Sequence, residues 1–215
     1  MTRNQIRDLF ALRLGNRTDL DDRIVSEMQL VQDDLEQGDF LPWFLATMVD
    51  TLNNDATNTD IIELSTELPD FILPLEDADL EWFDGTAWVP LERRHSLREL
   101  QHADSRIFET DQYVYTIIGT QIRLLPDPGE VLNFRWWYHA KDTALTTDIS
   151  NGWTTNAAEL IASMTCAKMA PQLQMASMVQ VYAGMAALAM ERLRKLDEAR
   201  RVTSVNLSMQ YGRGN

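Results

Sequence analysis

The sequence predicts an α+β chain: an α-helical bundle with an inserted antiparallel β-rich module and an extended C-terminal tail. Three observations predict it. Apolar residues recur at helical spacing near the start of the chain and again between residues 156 and 200. Between these stretches, Tyr113–Lys141 alternates as strands do and carries two tight-turn signals. Beyond Arg200, Val202, Val205, Leu207 and Met209 fall partly in strand register. The predicted organisation is therefore N-terminal helices over 1–58, a β-rich insertion over 59–141, C-terminal helices over 142–200 and an extended tail over 201–215.

Taking the elements in order, Thr2-x-x-Gln5 is a capping box, and it opens a helix whose apolar face is Ile6, Leu9, Phe10 and Leu14. Gly15-Asn16 ends it. A second helix starts near Thr18 or Asp19, with carboxylates in its first turn where the macrodipole favours them. Its stripe is Leu20, Ile24, Met28, Val31 and Leu35, and Gly38 follows its end. Asp21, Asp22, Asp33, Asp34 and Glu36 form its polar face, and a solvated face explains them more simply than a cation site does. Residues 40–49 form an apolar knot with a short helix after Pro42, and Asn53–Asn58 is a polar linker.

From Thr59 the period becomes extended. Ile61–Leu64 and Phe71–Leu75 bracket Leu68-Pro69-Asp70, and Leu80–Pro90 is a hairpin turning at Asp84-Gly85. Trp82 and Trp88 are expected to meet across its strands. A short helix is placed at Ser96–Ala103. The Tyr113–Ile118 and Gln121–Leu125 strands are joined by Gly119-Thr120, which suits a type II′ turn. Pro126-Asp127-Pro128-Gly129 then turns the chain into a third strand, Val131–Tyr138. On that strand Phe134, Trp136 and Tyr138 share one face, while Arg135, Trp137 and His139 share the other. Helical spacing returns after Asp142, with Thr155 or Asn156 capping a helix through Lys168. Pro171 opens the longest helix, which runs to Arg200. No charged residue occurs between Met169 and Met190, so this helix is expected to be buried on most sides, partly against other subunits.

The chain has 215 residues, 45% of them hydrophobic, which is enough for a folded core. No apolar run approaches the ~18 residues of a membrane span, and the N-terminus lacks a signal-peptide core. Net charge is −14, with 22 of the 33 acidic residues in the first hundred positions and a basic excess after Arg192. An acidic body does not hold nucleic acid by counterion release, although it can face DNA without adhering to it. The lone Cys166 excludes an internal disulfide and reads as a small buried hydrophobe.

No catalytic, cofactor-binding or metal-ligating residues emerge. His95, His102 and His139 have no ligand spacing, and the glycine patterns of nucleotide sites are missing. Glu67 with Asp70, or Asp77 with Asp79, resemble carboxylate pairs only as any chain rich in acids would. Trp136, Trp137 and Tyr138 could stack on sugars, but alternating aromatics on a strand more often serve a core on one face and an interface on the other.

With the segments in order, the chain resembles the head-to-tail adaptor (connector) proteins of tailed bacteriophages, the short-tailed type above all. The resemblance covers roughly residues 18–200. It rests on the early helix pair, LPDFI at Leu68–Ile72, the YVYTIIGTQIRLLPDP hairpin and the NFRWWYHA strand. It continues through Ala144–Asp148 and Asn151-Gly152-Trp153 into AAELIASMTCAKMAPQL. Residues 76–112 match nothing in it. The resemblance implies a non-enzymatic virion component without cofactor, assembled in the host cytoplasm as a homo-oligomeric ring of about twelve copies. The ring lies under the portal protein, extends the channel for double-stranded DNA without binding it specifically, and receives the tail or nozzle protein during assembly and genome ejection. It has no membrane partner.

The same resemblance assigns portal docking to Arg200, Arg201, Val202, Val205, Leu207, Met209, Tyr211 and Arg213. Arg135, Trp137, Tyr182 and Met185 are the candidates for subunit or tail interfaces. Two rival readings are a carbohydrate- or receptor-binding tail component using the aromatic strand, and a cell-wall-degrading enzyme built on a carboxylate pair.

Overall fold

The computed structural model describes residues 1–15, 18–75, 78–95 and 113–211, with side chains as far as Arg200. The helix expected at Ser96–Ala103 lies outside the described residues. The chain is mixed α+β, with sheets that are antiparallel except for one short parallel pairing. It divides into two compact units, one of residues 1–45 and 142–215 and one of residues 46–141.

The first unit is helical: α1 (Arg3–Arg13), α2 (Asp21–Glu36), α4 (Gly152–Asn156), α5 (Ala158–Met169) and α6 (Ala176–Tyr211). Thr2 caps α1 as expected, its side chain accepting from the Gln5 amide while the Gln5 side chain returns to the Thr2 amide. Ile6, Phe10, Ile24, Met28 and Val31 are fully buried, because the 3.6-residue repeat brings each apolar stripe onto one side. α5 packs on α1, α2 and α6 and contributes Leu160, Ile161 and Met169 to this core. Thr155 and Asn156 do not cap α5 as expected: they lie within α4, which Asn151 starts through a capping box with Thr154, and α5 is preceded by Ala157 with no side-chain cap. Gly152 is required there by close approach: a Cβ would lie 2.7 Å from Phe44 and 2.8 Å from the Asp142 carboxylate.

Glu36 departs from the solvated role expected of it. It is 4% exposed, and its Oε1 accepts from Trp153 Nε1 (2.9 Å), Gln32 Nε2 (3.0 Å) and the Asp142 amide (3.1 Å). Burial pushes its carboxyl pKa up, and the three donors oppose that only in part. Gln29 and Gln32 extend this row: Gln29 Oε1 accepts from the Leu145 amide and Gln32 Oε1 from Asn151 Nδ2. Spaced three and four apart, the three side chains form one polar edge of α2 that holds segment 142–151.

Pro171 does not open the longest helix. α5 ends at Met169, Pro171–Gln174 forms a turn, and α6 begins only at Ala176. Gln174 takes φ of 59°, a left-handed conformation that resets the chain direction. The expected extended tail is also corrected, since α6 continues as helix through Tyr211. No glycine or proline interrupts the chain between Gly184 and Gly212, and extending an existing helix costs far less than nucleating one. Positions 202, 205 and 209, spaced three and four apart, fit a helical period as well as a strand.

The second unit is strand-rich: β1 (Ala46–Asn53), β2 (Ile61–Glu63), α3 (Leu64–Glu67), β3 (Phe71–Pro74), β4 (Glu81–Phe83), β5 (Trp88–Pro90), β6 (Glu92–Arg93), β7 (Val114–Ile118), β8 (Gln121–Leu125) and β9 (Asn133–Ala140). The helix expected after Pro42 is only a 3₁₀ turn, Trp43–Leu45, and the chain then enters β1. Val49 and Thr51 favour a strand there, and β9 supplies the pairing partner. The Asn53–Asn58 linker is built in: buried Asn54 donates to the Thr59 and Glu130 carbonyls and accepts from the Leu132 amide.

β7 and β8 form the expected hairpin, with Gly119 at φ of 59° as the type II′ turn requires. The third strand of the meander does not join them. β8 pairs with β7 and β2, whereas β9 pairs with β1, β3 and β4 in the other sheet. Residues 126–132 form a connection too long for a tight hairpin, and they carry the chain across. The two sheets share one core, in which Trp136, Phe134, Tyr115, Ile62, Leu80 and Leu52 are fully buried. Phe71 stacks on both Trp136 and Tyr138 at 5.5 and 5.8 Å between ring centroids.

Candidate functional site

β9 presents its two faces as the alternation predicts. Phe134, Trp136 and Tyr138 point into the core, and the Tyr138 hydroxyl donates to Asp70 at 3.1 Å. Burial and the adjacent carboxylate push that phenol up to about 12. On the opposite face Trp137 is 47% exposed, while His139 is largely buried.

The strand register extends this outer face across the sheet. Met48 lies directly opposite Trp137 on β1 and is 44% exposed; Leu73 on β3 lies opposite His139 and is 39% exposed. Glu81 lies opposite Arg135, and by alternation Phe83 shares its side. Trp88 pairs with Phe83, so Trp82 and Trp88 stand on opposite faces instead of meeting. Trp82 turns inward and contacts Tyr113 edge-on at 5.0 Å between ring centroids. Arg135 places its guanidinium 4.8 Å from the Trp88 ring centroid and ion-pairs with Glu81. The result is an apolar, aromatic outer face on which Arg135 pairs with Glu81.

A second unpartnered surface belongs to the helical unit. Along α6, Tyr182, Ala186, Leu193 and Asp197 are buried, one narrow stripe at helical spacing. Tyr182 is thus spent on its own unit, its hydroxyl donating to the Arg13 carbonyl at 3.0 Å, and Met185 is half-buried. Val181 and Leu188 are 50% and 58% exposed, so the burial that the chain itself supplies along the described part of this helix is confined to one side of it.

Of the residues assigned to portal docking, Arg200 lies 4.1 Å from the Trp43 ring centroid. Arg201, Val202, Val205, Leu207, Met209 and Tyr211 are helical, and Arg213 lies outside the described residues. Buried Asp197 anchors this end of the helix by accepting from the Trp43 amide at 2.8 Å.

Other candidate chemistry is dispersed. Asp70 serves Tyr138, Asp79 is exposed, and Asp77 and His102 lie outside the described residues. Glu67 lines a shallow cleft of about 220 Å³ with Asp55, Glu63 and Gln121. Glu63 is held below the usual carboxylate range there by hydrogen bonds from Gln121, Ser65 and Thr120. Among the described residues, no group of three His, Cys, Asp or Glu is placed to hold a metal, and no helix is long and apolar enough to cross a membrane. Cys166 is fully buried, and burial pushes its thiol up to about 12.

Sequence reasoning found Trp137 and Arg135 from alternation alone, but missed Met48, Leu73, Phe83 and Trp88. Only strand register, which brings residues 46 to 90 beside β9, assembles those six into one face. No protein-family model matches the chain, and no curated protein is significantly similar to it.

Proposed function

We propose that the chain is a structural head-to-tail adaptor of a short-tailed phage. In this reading its helical elements form a bundle that carries the strand-rich unit as an inserted module. Copies form a ring, of about twelve by resemblance to the family, beneath the portal protein; the ring extends the DNA channel and receives the tail or nozzle. The observation that carries the reading is α6. It is a 36-residue helix, about 54 Å long, and among its described side chains one narrow stripe is used inside the chain. Its distal part, from Arg192 onward, is basic, with six basic residues against two acidic ones, and Asp197 is the last buried residue along it among the described side chains; in this reading that part reaches an acidic surface on another protein.

A net charge of −14 supports the second part of the role, because a strongly acidic ring repels the phosphate backbone it surrounds. Docking is multivalent: each helix end binds weakly, and a ring of them multiplies effective concentration. Deleting Val202–Asn215 is expected to abolish binding to the cognate portal while leaving thermal unfolding unchanged, since the described core ends before Arg200. A truncated chain that still loads onto portal rings would refute the assignment of docking to this helix end.

The exposed Trp137 and the Arg135-stacked Trp88 favour a second reading, a carbohydrate- or receptor-binding tail component. Glycan binding that is lost in Trp137→Ala would select it over the adaptor.

A further inference from the structure

The outward stripe of α6 runs Ser177, Val181, Gly184, Leu188, Arg192, Lys195, spaced four, three, four, four and three residues apart. All six are exposed, and a Cβ added at Gly184 would meet open space. The stripe is therefore uncharged, built of small and apolar residues, over its first two-thirds, and over its last third it carries Arg192 and Lys195, the latter ion-paired with Glu191 at 2.6 Å. The outer face of the five-stranded sheet is its complement. Its centre is apolar, with Met48, Leu73 and Trp137, and its internal charges cancel between Arg135 and Glu81. Exposed carboxylates flank it at Asp50, in the β1 bulge opposite Arg135, and at Asp84, in the β4–β5 turn.

We infer that the outer face of the sheet in one copy docks on the outward stripe of α6 in a second copy, Trp137 and Met48 packing on Val181 and Leu188. The inference rests on the self-assembling reading above and assigns its surfaces. Two chains of charge −14 repel wherever acidic surfaces meet, so attraction is confined to neutral or basic patches. Here a neutral face with an acidic edge meets a neutral stripe with a basic end. The lengths agree too. The uncharged part of α6, Ala176–Met190, spans about 22 Å, and eight-residue β9 spans about 27 Å.

Because the two surfaces differ, the contact is heterologous and repeats from copy to copy. Four strands at ~4.8 Å spacing make the face about 14 Å wide, on the order of 400 Å². That is roughly half of the ~800 Å² per partner in a stable pair. A single contact is accordingly weak, and assembly depends on each copy making two of them or on a template.

Two populations of the full chain test this, one carrying Met48→Cys and the other Leu188→Cys, both at exposed positions. Native Cys166 is buried and does not compete. Mixed at high concentration under mild oxidation, the populations are expected to form a disulfide-linked heterodimer, while neither forms one alone. Trp137→Asp, with an unchanged circular dichroism spectrum, is expected to weaken self-association at least tenfold in sedimentation equilibrium. Homodimers only, a disulfide within one chain carrying both cysteines, or no cross-link would each overturn the docking. If cross-linking fails while copies still load onto the cognate portal, the docking falls and the adaptor reading stands. If cross-linking succeeds and no copy loads onto the portal, the docking stands and the adaptor reading falls.

Discussion

Glu36 offers a quantitative test of how the helical unit is held together. Its Oε1 accepts from the Trp153 indole, the Gln32 amide and the Asp142 backbone within 2.9–3.1 Å. Glu36→Ala leaves three donors without that acceptor. Gln32 Nε2 keeps alternatives in the carbonyls of Asp142 (3.3 Å) and Thr143 (3.4 Å), so the loss falls on Trp153 and Asp142. At about 1–3 kcal/mol for each of the two orphaned donors, the cost is about 2–6 kcal/mol.

Glu36→Gln behaves differently, because it retains an amide oxygen for the three donors and removes the buried charge. Burial raises the native pKa of Glu36 above its ordinary 4.5, so the folded chain holds this proton more tightly than the unfolded chain does. The stabilising contribution of that proton is complete below the ordinary value and is lost as pH rises through the native pKa. Relative to wild type, Glu36→Gln should therefore gain stability as pH rises through that window. Urea unfolding followed by the far-UV helix signal, from about pH 4 to pH 8, measures both variants. A Glu36→Ala variant within about 0.5 kcal/mol of wild type, or a Glu36→Gln difference that does not change with pH, would refute the reasoning.

Two further outcomes follow from local geometry. Gln174 holds a left-handed φ of 59°, so Gln174→Gly should be neutral to slightly stabilising, whereas Gln174→Val should cost about 1–2 kcal/mol; thermal melts decide it. Cys166, with its thiol pushed up to about 12, is a thiolate at only about 1 part in 10⁴ at pH 8, so a disulfide reagent should modify it at the rate of unfolding; rapid labelling in native buffer would contradict its burial.

The local periods of the chain were legible in its sequence, and its long-range partners were not. The stripes of α1 and α2, the capping box at Thr2, the Gly119 turn and the two faces of β9 all follow from spacing and turn chemistry within a few residues. What sequence spacing missed depends on neighbours far along the chain. The strand at Ala46–Asn53 exists because β9 pairs with it, and β9 leaves its own meander because two other strands share its edge. Glu36 looks like one more surface acid, yet it immediately follows core residue Leu35 and so flanks the buried stripe. The helix beyond Arg200 is ambiguous in sequence because Val205, Leu207 and Met209 alternate as a strand does while Val202, Val205 and Met209 fit a helical period, and helix continuity decides between them. The candidate interface suffered most: Trp137 was visible, but the neighbours that make it a surface are contributed by other strands.

The adaptor role is tested most directly by native mass measurement of the full chain alone and mixed with rings of the cognate portal protein. The proposal predicts monomers or small oligomers alone and a complex carrying a closed set of copies per portal ring when mixed. A mixture in which portal rings retain their own mass, with no copy of this chain bound at any ratio, would contradict it.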